Sequence, residues 1–281
     1  MLFSYFDTGV SARSVDRAVA KNAKTLGPYR TKVAKVIAQN DKKHPEYSLV
    51  HAADAAVHDV VHDVRTQFKG IKHLVLIGIG GSNLGTEAVH ALLGESKVKL
   101  HSLDTVAPYQ VKELLKALKK VKKVSQIAVC IISKSGGTTE TMVNAGVVLE
   151  ALETQFGKSI YKETICIGNP GTAFQKTAKR MGAQVVAMPE IVGGRYSVGT
   201  EVGLIPLALL GHNVDRFIEG LLDANKDEFE SVTADNAARL YIYLSKKYTH
   251  YNFFAFEPHL YKLGAWYRQL QAESLGKTVT K

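Results

Sequence analysis

The sequence predicts an α/β protein built on a doubly wound parallel sheet, with a helical N-terminal arm and the start of a second, incomplete α/β domain. Three observations predict it. From residue 73 onward, short β-rich runs alternate with helical stretches, the pattern of βαβ units with right-handed crossovers. Most of the runs are apolar without alternation, which suits strands covered on both faces. Glycine- and hydroxyl-rich turns follow the first and third runs, at the strand ends where open α/β sheets bind ligands.

The elements follow in order. Residues 1–47 read as a basic helical arm, with helices at 14–20 and 31–39. Residues 48–68 read as one helix, because Leu49, Ala53, Val57, Val60 and Val61 share a side and Gly70 ends it. Strands are expected at 74–77, 98–103, 126–132, 164–167 and 185–188, with helices between them at 84–93, 109–118, 138–156 and 173–181. With a helix at 201–210 they make a first domain over 48–213, followed by a helical connection over 214–250. The aromatic-rich stretch 251–256 reads as a new strand and 259–272 as its helix, so 251–281 would open the second domain. One strand and one helix cannot bury their own faces, so that domain is expected to be incomplete.

Composition narrows the function. With 281 residues and 46% hydrophobic content the chain is globular and can bury a sizeable core. No apolar run reaches the ~18 residues of a membrane-spanning helix, and the start lacks a basic region followed by an apolar stretch. Neither a membrane partner nor a signal peptide is expected. Cys130 and Cys166 lie in apolar runs and read as buried reduced thiols, which fits a cytoplasmic location. The formal charge of +10 suits an anionic partner, either nucleic acid or a small phosphate ester. Much of the excess lies in Lys112, Lys116, Lys119, Lys120, Lys122 and Lys123, which read as the solvated face of a helix whose apolar face is Leu114, Leu115 and Leu118. No aromatic residues interleave there to stack bases, so no nucleic-acid partner is expected. His58 and His62, spaced i, i+4, could hold a metal with a third ligand, but Asp59 and Asp63 point to other faces. They read as polar residues of an amphipathic helix.

Four stretches carry chemistry. Gly78-Ile79-Gly80-Gly81-Ser82-Asn83-Leu84-Gly85 is a strand-to-helix turn, whose amides and helix dipole would favour an anion. Asn83 stands where a dinucleotide fingerprint wants glycine, although Asp104 lies where a ribose-binding acid would sit; Thr86 rules out a P-loop. In the second stretch Ser133, Ser135, Thr138, Thr139 and Thr141 place five hydroxyls in nine residues around Gly136 and Gly137, with Lys134 among them. Such a loop suits the terminal oxygens of a phosphate monoester; capping of the next helix would need fewer hydroxyls. Third, Arg195 follows Gly193 and Gly194, a fixed cation for negative charge developing on substrate oxygens, or else a salt-bridge partner. Fourth, Glu273 near a helix end has Gln269 one turn earlier on the same face. A buried carboxylate could take a proton from carbon next to a carbonyl.

In type and in order, Gly-Ile-Gly-Gly-Ser, Ser-Lys-Ser-Gly-Gly-Thr-Thr-Glu-Thr, Gly-Gly-Arg-Tyr-Ser-Val and Gln-x-x-x-Glu-Ser-x-Gly-Lys resemble the signatures of the glucose-6-phosphate (phosphoglucose) isomerase family, over residues 73–277. The resemblance implies sugar-isomerase (SIS) α/β domains, no metal or organic cofactor, and a homodimer when full length. It implies interconversion of glucose 6-phosphate and fructose 6-phosphate in glycolysis and gluconeogenesis. By the same resemblance, Gly81 and Ser82 contact the sugar phosphate, and Ser133, Lys134, Ser135, Gly136, Gly137 and Thr138 cradle the phosphate. Arg195 stabilises a cis-enediolate, Gln269 positions substrate, and Glu273 moves the proton between C2 and C1. The family also uses a ring-opening histidine after the glutamate motif and a lysine near its C-terminus. No histidine follows His259 here, so the chain is expected to be a truncated piece, inactive alone. Two alternatives stay open: a non-catalytic SIS-type sugar-phosphate-binding module, and a nicotinamide-dependent oxidoreductase.

Overall fold

The computed structural model describes residues 9–276 and, within them, the side chains of all but residues 227–231. In chain order the elements are α1 (Ala12–Ala38), α2 (Ala55–Gln67), β1 (His73–Ile77), α3 (Leu84–Leu93), β2 (Lys99–Leu103), α4 (Pro108–Leu118), β3 (Ile127–Ile132) and α5 (Thr139–Phe156). Then come β4 (Thr164–Gly168), α6 (Ala173–Met181), β5 (Gln184–Ala187), α7 (Glu201–Leu209), α8 (Val214–Asp223), α9 (Asp227–Ser245) and α10 (Leu260–Leu275). They form two compact units, one of His51–Ile218 with Ala255–Lys281, the other of Met1–Val50 with Glu219–Phe254.

The first unit is built on a five-stranded sheet in the order β2-β1-β3-β4-β5, every pair parallel. This is the expected doubly wound α/β fold. The order reverses at the junction of β1 and β3, the switch point where such sheets open a crevice. All of β3 and β4 is buried. On one face Val75, Ile77, Val129 and Ile131 pack with Leu114 and Leu118 of α4, Val148 and Leu152 of α5 and Ala178 of α6. Leu74, Leu76, Cys130 and Ile132, one residue out of phase along the same strands, are fully buried on the other. There α7 packs on β1, α2 and α3. Every residue from Val202 to Leu209 is buried, as a helix apolar all round must be. Each fully buried Leu or Ile contributes about 1.5–3 kcal/mol. The strands and inter-strand helices lie within two residues of their expected bounds.

In the second unit α1 packs against α9, and Val10 and Val15 cluster with Ile242. Two helices were expected in the arm, but α1 is continuous through Pro28, starting where Ser11 Oγ accepts from the Ser14 amide. The alanines and lysines around Lys21–Lys24 are good helix formers and carry it across the gap.

Two other expectations change. The helix expected from residue 48 starts only at Ala55, after short 3₁₀ turns at Pro45–Leu49 and His51–Ala53, because Asp54 takes an extended N-cap conformation. The helical connection expected over 214–250 is made of two helices, α8 and α9. Residues 251–256 form no strand, since a strand needs a ladder and the five strands of the described residues pair only with one another.

Cys130 and Cys166 are free and buried on neighbouring strands, as expected; burial raises both thiols, that of Cys166 to about 12. Leu114 and Leu118 turn inward on α4 while Lys112, Lys116, Lys119 and Lys120 are exposed. His58 lies 3.5 Å from Asp215 rather than in a ligand set, and among the described residues no group of three or more His, Cys, Asp or Glu could hold a metal. No helix of the described residues is long and apolar enough to cross a membrane.

The rings of His73, the first residue of β1, and His101, in the middle of β2, stack with nitrogens 3.1 Å apart. Burial, then His73 and Lys99, lower the pKa of His101 to about 4; burial, then Lys99 and Lys72, lower that of His73. Both stay neutral in the fold but charge more readily when unfolded. Their contribution is therefore intact above the unfolded value of ~6.5 and lost as pH falls toward ~4. In urea titrations from pH 7 to pH 4, His101→Gln should flatten the decline in stability; an unchanged slope would contradict this.

Candidate active site

Each functional stretch is held by an element of the first unit. The glycine turn leaves β1, forms a short 3₁₀ turn over Gly80–Ser82, and enters α3. Gly80 has φ +60°, where a side chain would be strained, and a Cβ there would come within 2.7 Å of Gln269 Nε2.

The hydroxyl loop joins β3 to α5. Ser133 Oγ accepts from the Gly136 amide and Ser135 Oγ from the Gly137 amide, both at 3.1 Å, while Gly136 turns at φ +71°. Those acceptors shape the loop, but each hydroxyl keeps its proton for a ligand. Thr138 sits at the N-cap of α5 without a side-chain capping bond. Thr141, counted among the hydroxyls in the sequence, is buried inside α5. Lys134 Nζ donates to the Val192 carbonyl at 3.4 Å, tying this loop to the arginine loop.

The arginine loop follows β5 as a 3₁₀ turn over Gly194–Gly199. It lies directly on the glycine turn: a Cβ on Gly81 would stand 2.1 Å from the backbone of Gly194. Fully buried Ser197 places its hydroxyl 2.9 Å from the Gly81 carbonyl and 2.7 Å from that of Gly194, joining the loops.

Helix α10 brings the carboxylate. Glu273 Oε2 stands 3.6 Å from Arg195 Nη1, and Gln269 Nε2 donates to Glu273 Oε1 at 2.8 Å. Arg195 Nε donates to Ser274 Oγ at 3.0 Å, and Tyr196 Oη lies 3.0 Å from the same oxygen. Its guanidinium lies over the Tyr196 ring, 4.5 Å from the centroid. The bond with Ser274, then Arg195, lower the pKa of the Tyr196 phenol. Trp266 Nε1 donates to the Arg195 carbonyl at 3.1 Å. The Arg195 side chain is 20% exposed and that of Glu273 is 47% exposed, so the burial expected of a base is not supplied by the described residues.

The structure thus brings Gly81, Arg195, Gln269 and Glu273 together at the carboxyl ends of the strands. Ser133, Lys134, Ser135, Gly136, Gly137 and Thr138 lie in the loop after the adjacent strand β3, and Ser82 lies in the 3₁₀ turn that precedes α3. Lys277, last residue of the fourth motif, lies outside the described residues. Sequence reasoning missed Trp266 and gave no role to Ser197 and Ser274, which stand within the quoted motifs. For Trp266 a signal existed, because Trp266, Gln269 and Glu273 recur at helical spacing.

Fold and site define a parallel α/β protein whose switch-point loops converge with an arginine and a carboxylate. The phosphoglucose isomerase family model matches residues 13–281. A glucose-6-phosphate isomerase of Thermus thermophilus is 35% identical over 212 residues, covering 74% of this chain and 50% of the relative. That of Mycoplasma capricolum is 33% identical over 234 residues, covering 78% and 52%. Among solved structures, a hypothetical protein from Thermus thermophilus superposes with a TM-score of 0.76 at 28% identity, over 95% of this chain and 63% of that one. A Chlamydia trachomatis glucose-6-phosphate isomerase shares the fold, with a TM-score of 0.64 at 20% identity over 99% of this chain and 48% of that one. The chain belongs to the phosphoglucose isomerase family, and spans about half the length of the curated relatives it matches.

Proposed function

We propose that this chain carries the sugar-phosphate site and proton-transfer residues of a glucose-6-phosphate isomerase, acting through a cis-enediolate. One observation carries the reading: a glycine turn, an arginine loop and a carboxylate-bearing helix, distant in sequence, meet with Glu273 and Arg195 3.6 Å apart. Ser133, Ser135, Thr138 and the loop amides take the phosphate, and Gly81 and Ser82 take the sugar-phosphate end beside it. Glu273 removes the C2 proton of open-chain glucose 6-phosphate and returns it to C1. Arg195 offsets the charge on the enediolate oxygens, worth several kcal/mol in a site closed to water. Gln269 holds Glu273 in place through its 2.8 Å bond.

The half-exposed Glu273 favours a second reading, in which these residues bind sugar phosphate without turning it over. A base displaced by ~1 Å already loses ~10²-fold in rate. We therefore place turnover in protein of the relatives' full length, a homodimer in the cytoplasm, and expect little from residues 1–281 alone. The region from 251 is the part we assign to the opening of a second domain. Against the nicotinamide reading, Asn83 is fully buried and its amide is engaged by Glu87, where a dinucleotide turn needs glycine.

Calorimetric titration tests the reading. The chain should bind 6-phosphogluconate saturably and NAD not at all. Ser135→Ala with Thr138→Ala should weaken that binding at least about tenfold, since a hydrogen bond to a charged group is worth ~1.5–3 kcal/mol. Saturable NAD binding without sugar-phosphate binding would reverse the assignment.

A further inference from the structure

Helix α10 has no buried residue, so an apolar core of its own does not fix its position. Besides the bonds of Ser274 to Arg195 and Tyr196, what holds it is a stripe. Lys262, Trp266, Gln269 and Glu273 recur at i, i+4, i+7 and i+11, one face of a helix. Each reaches the sheet unit: Lys262 to Glu87, Trp266 to the Arg195 carbonyl, Gln269 to Gly80, and Glu273 to Arg195. Three of those contacts touch the site, and the first does not.

The Glu87 side chain is 4% exposed, whereas that of Lys262 is 44% exposed. One Glu87 oxygen accepts from Asn83 Nδ2 at 2.9 Å and from Ser102 Oγ, and the other is paired with Lys262 Nζ. The carboxylate thus joins the start of α3, strand β2 and α10. We propose that Glu87 and Lys262 are positioning residues, a clamp that sets the rotation and height of α10 so that Gln269 and Glu273 face the glycine and arginine loops. The proposal rests on the reading of Glu273 as the base. The clamp is asymmetric. Without Lys262 the carboxylate is stranded away from water, whereas without Glu87 the ammonium can return to solvent.

The chain has a single tryptophan, and Trp266 lies on the stripe between Lys262 and Gln269. Acrylamide quenching of its fluorescence therefore reports docking of α10 without any turnover. In the 281-residue chain, Lys262→Met and Glu87→Gln should each raise the quenching constant about threefold or more, as local opening does, with far-UV circular dichroism unchanged. Lys262→Arg keeps a donor for the carboxylate and should stay within the wild-type range. Lys262→Met should also weaken 6-phosphogluconate binding at least threefold, as Arg195 loses its neighbours on α10. Unchanged quenching in Lys262→Met and Glu87→Gln, or quenching in Lys262→Arg as strong as in Lys262→Met, would overturn the clamp. Because quenching is independent of turnover, a failed clamp and a failed assignment of Glu273 give different results.

Discussion

Replacing Glu273 by Gln in protein of the relatives' full length should lower isomerase turnover roughly 10²–10⁴-fold, the range a positioned general base supplies. The amide has nearly the same shape but cannot take a proton. The fold should tolerate it. The carboxylate is half exposed and its contact with Arg195 is 3.6 Å, so the lost ion pair costs about 0.2–1 kcal/mol. Affinity for 6-phosphogluconate should change less than about threefold, because the phosphate contacts lie in the loop after β3. A coupled assay in protein of the relatives' full length, with calorimetry beside it, separates the two quantities. Near-normal turnover would remove Glu273 from the mechanism.

The second large effect comes from a single methyl group. Gly81→Ala puts a Cβ 2.1 Å from the carbonyl carbon and oxygen of Gly194 and 2.7 Å from the Arg195 amide. These are backbone atoms and cannot swing aside. The glycine turn and arginine loop must separate, Ser197 loses one of its two carbonyls, and Arg195 moves with its backbone. Overpacking of this kind costs about 1–3 kcal/mol of stability, and ~1 Å of displacement costs ~10²-fold in rate. Gly146→Ala is the control: it lies inside α5 with nothing within 4 Å of its Cβ position, and should stabilise by about 0.5–1 kcal/mol. Thermal melts of both variants, with 6-phosphogluconate titrations, should show loss at position 81 and none at position 146. Wild-type affinity in Gly81→Ala would mean that the close approach of the loops is irrelevant to the site.

The centre of the sheet was legible because β1, β3 and β4 are buried on both faces, and uniform apolar runs such as residues 127–132 are what such strands require. Helices with one apolar face, such as α4, were legible for the same reason. Helix limits set by local capping or by long-range packing were not. Asp54 delays α2, and α1 runs through Gly27 and Pro28 because α9 packs against it. The strand expected at 251–256 failed on pairing, which no local pattern can reveal. In the site, the glycines and hydroxyls announced themselves by density. Ser197 and Glu87 did not, since a lone serine and a lone glutamate acquire meaning only when a carbonyl or a lysine from a distant stretch reaches them.

Solvent deuterium incorporation tests the central claim most directly. Fructose 6-phosphate incubated in D₂O with protein of the relatives' full length should gain deuterium at C1, because a carboxylate holding the transferred proton exchanges it with water. The same incubation with Glu273→Gln should leave the sugar unlabelled. Isomerisation without any label, or label that persists in Glu273→Gln, would contradict proton transfer by this carboxylate.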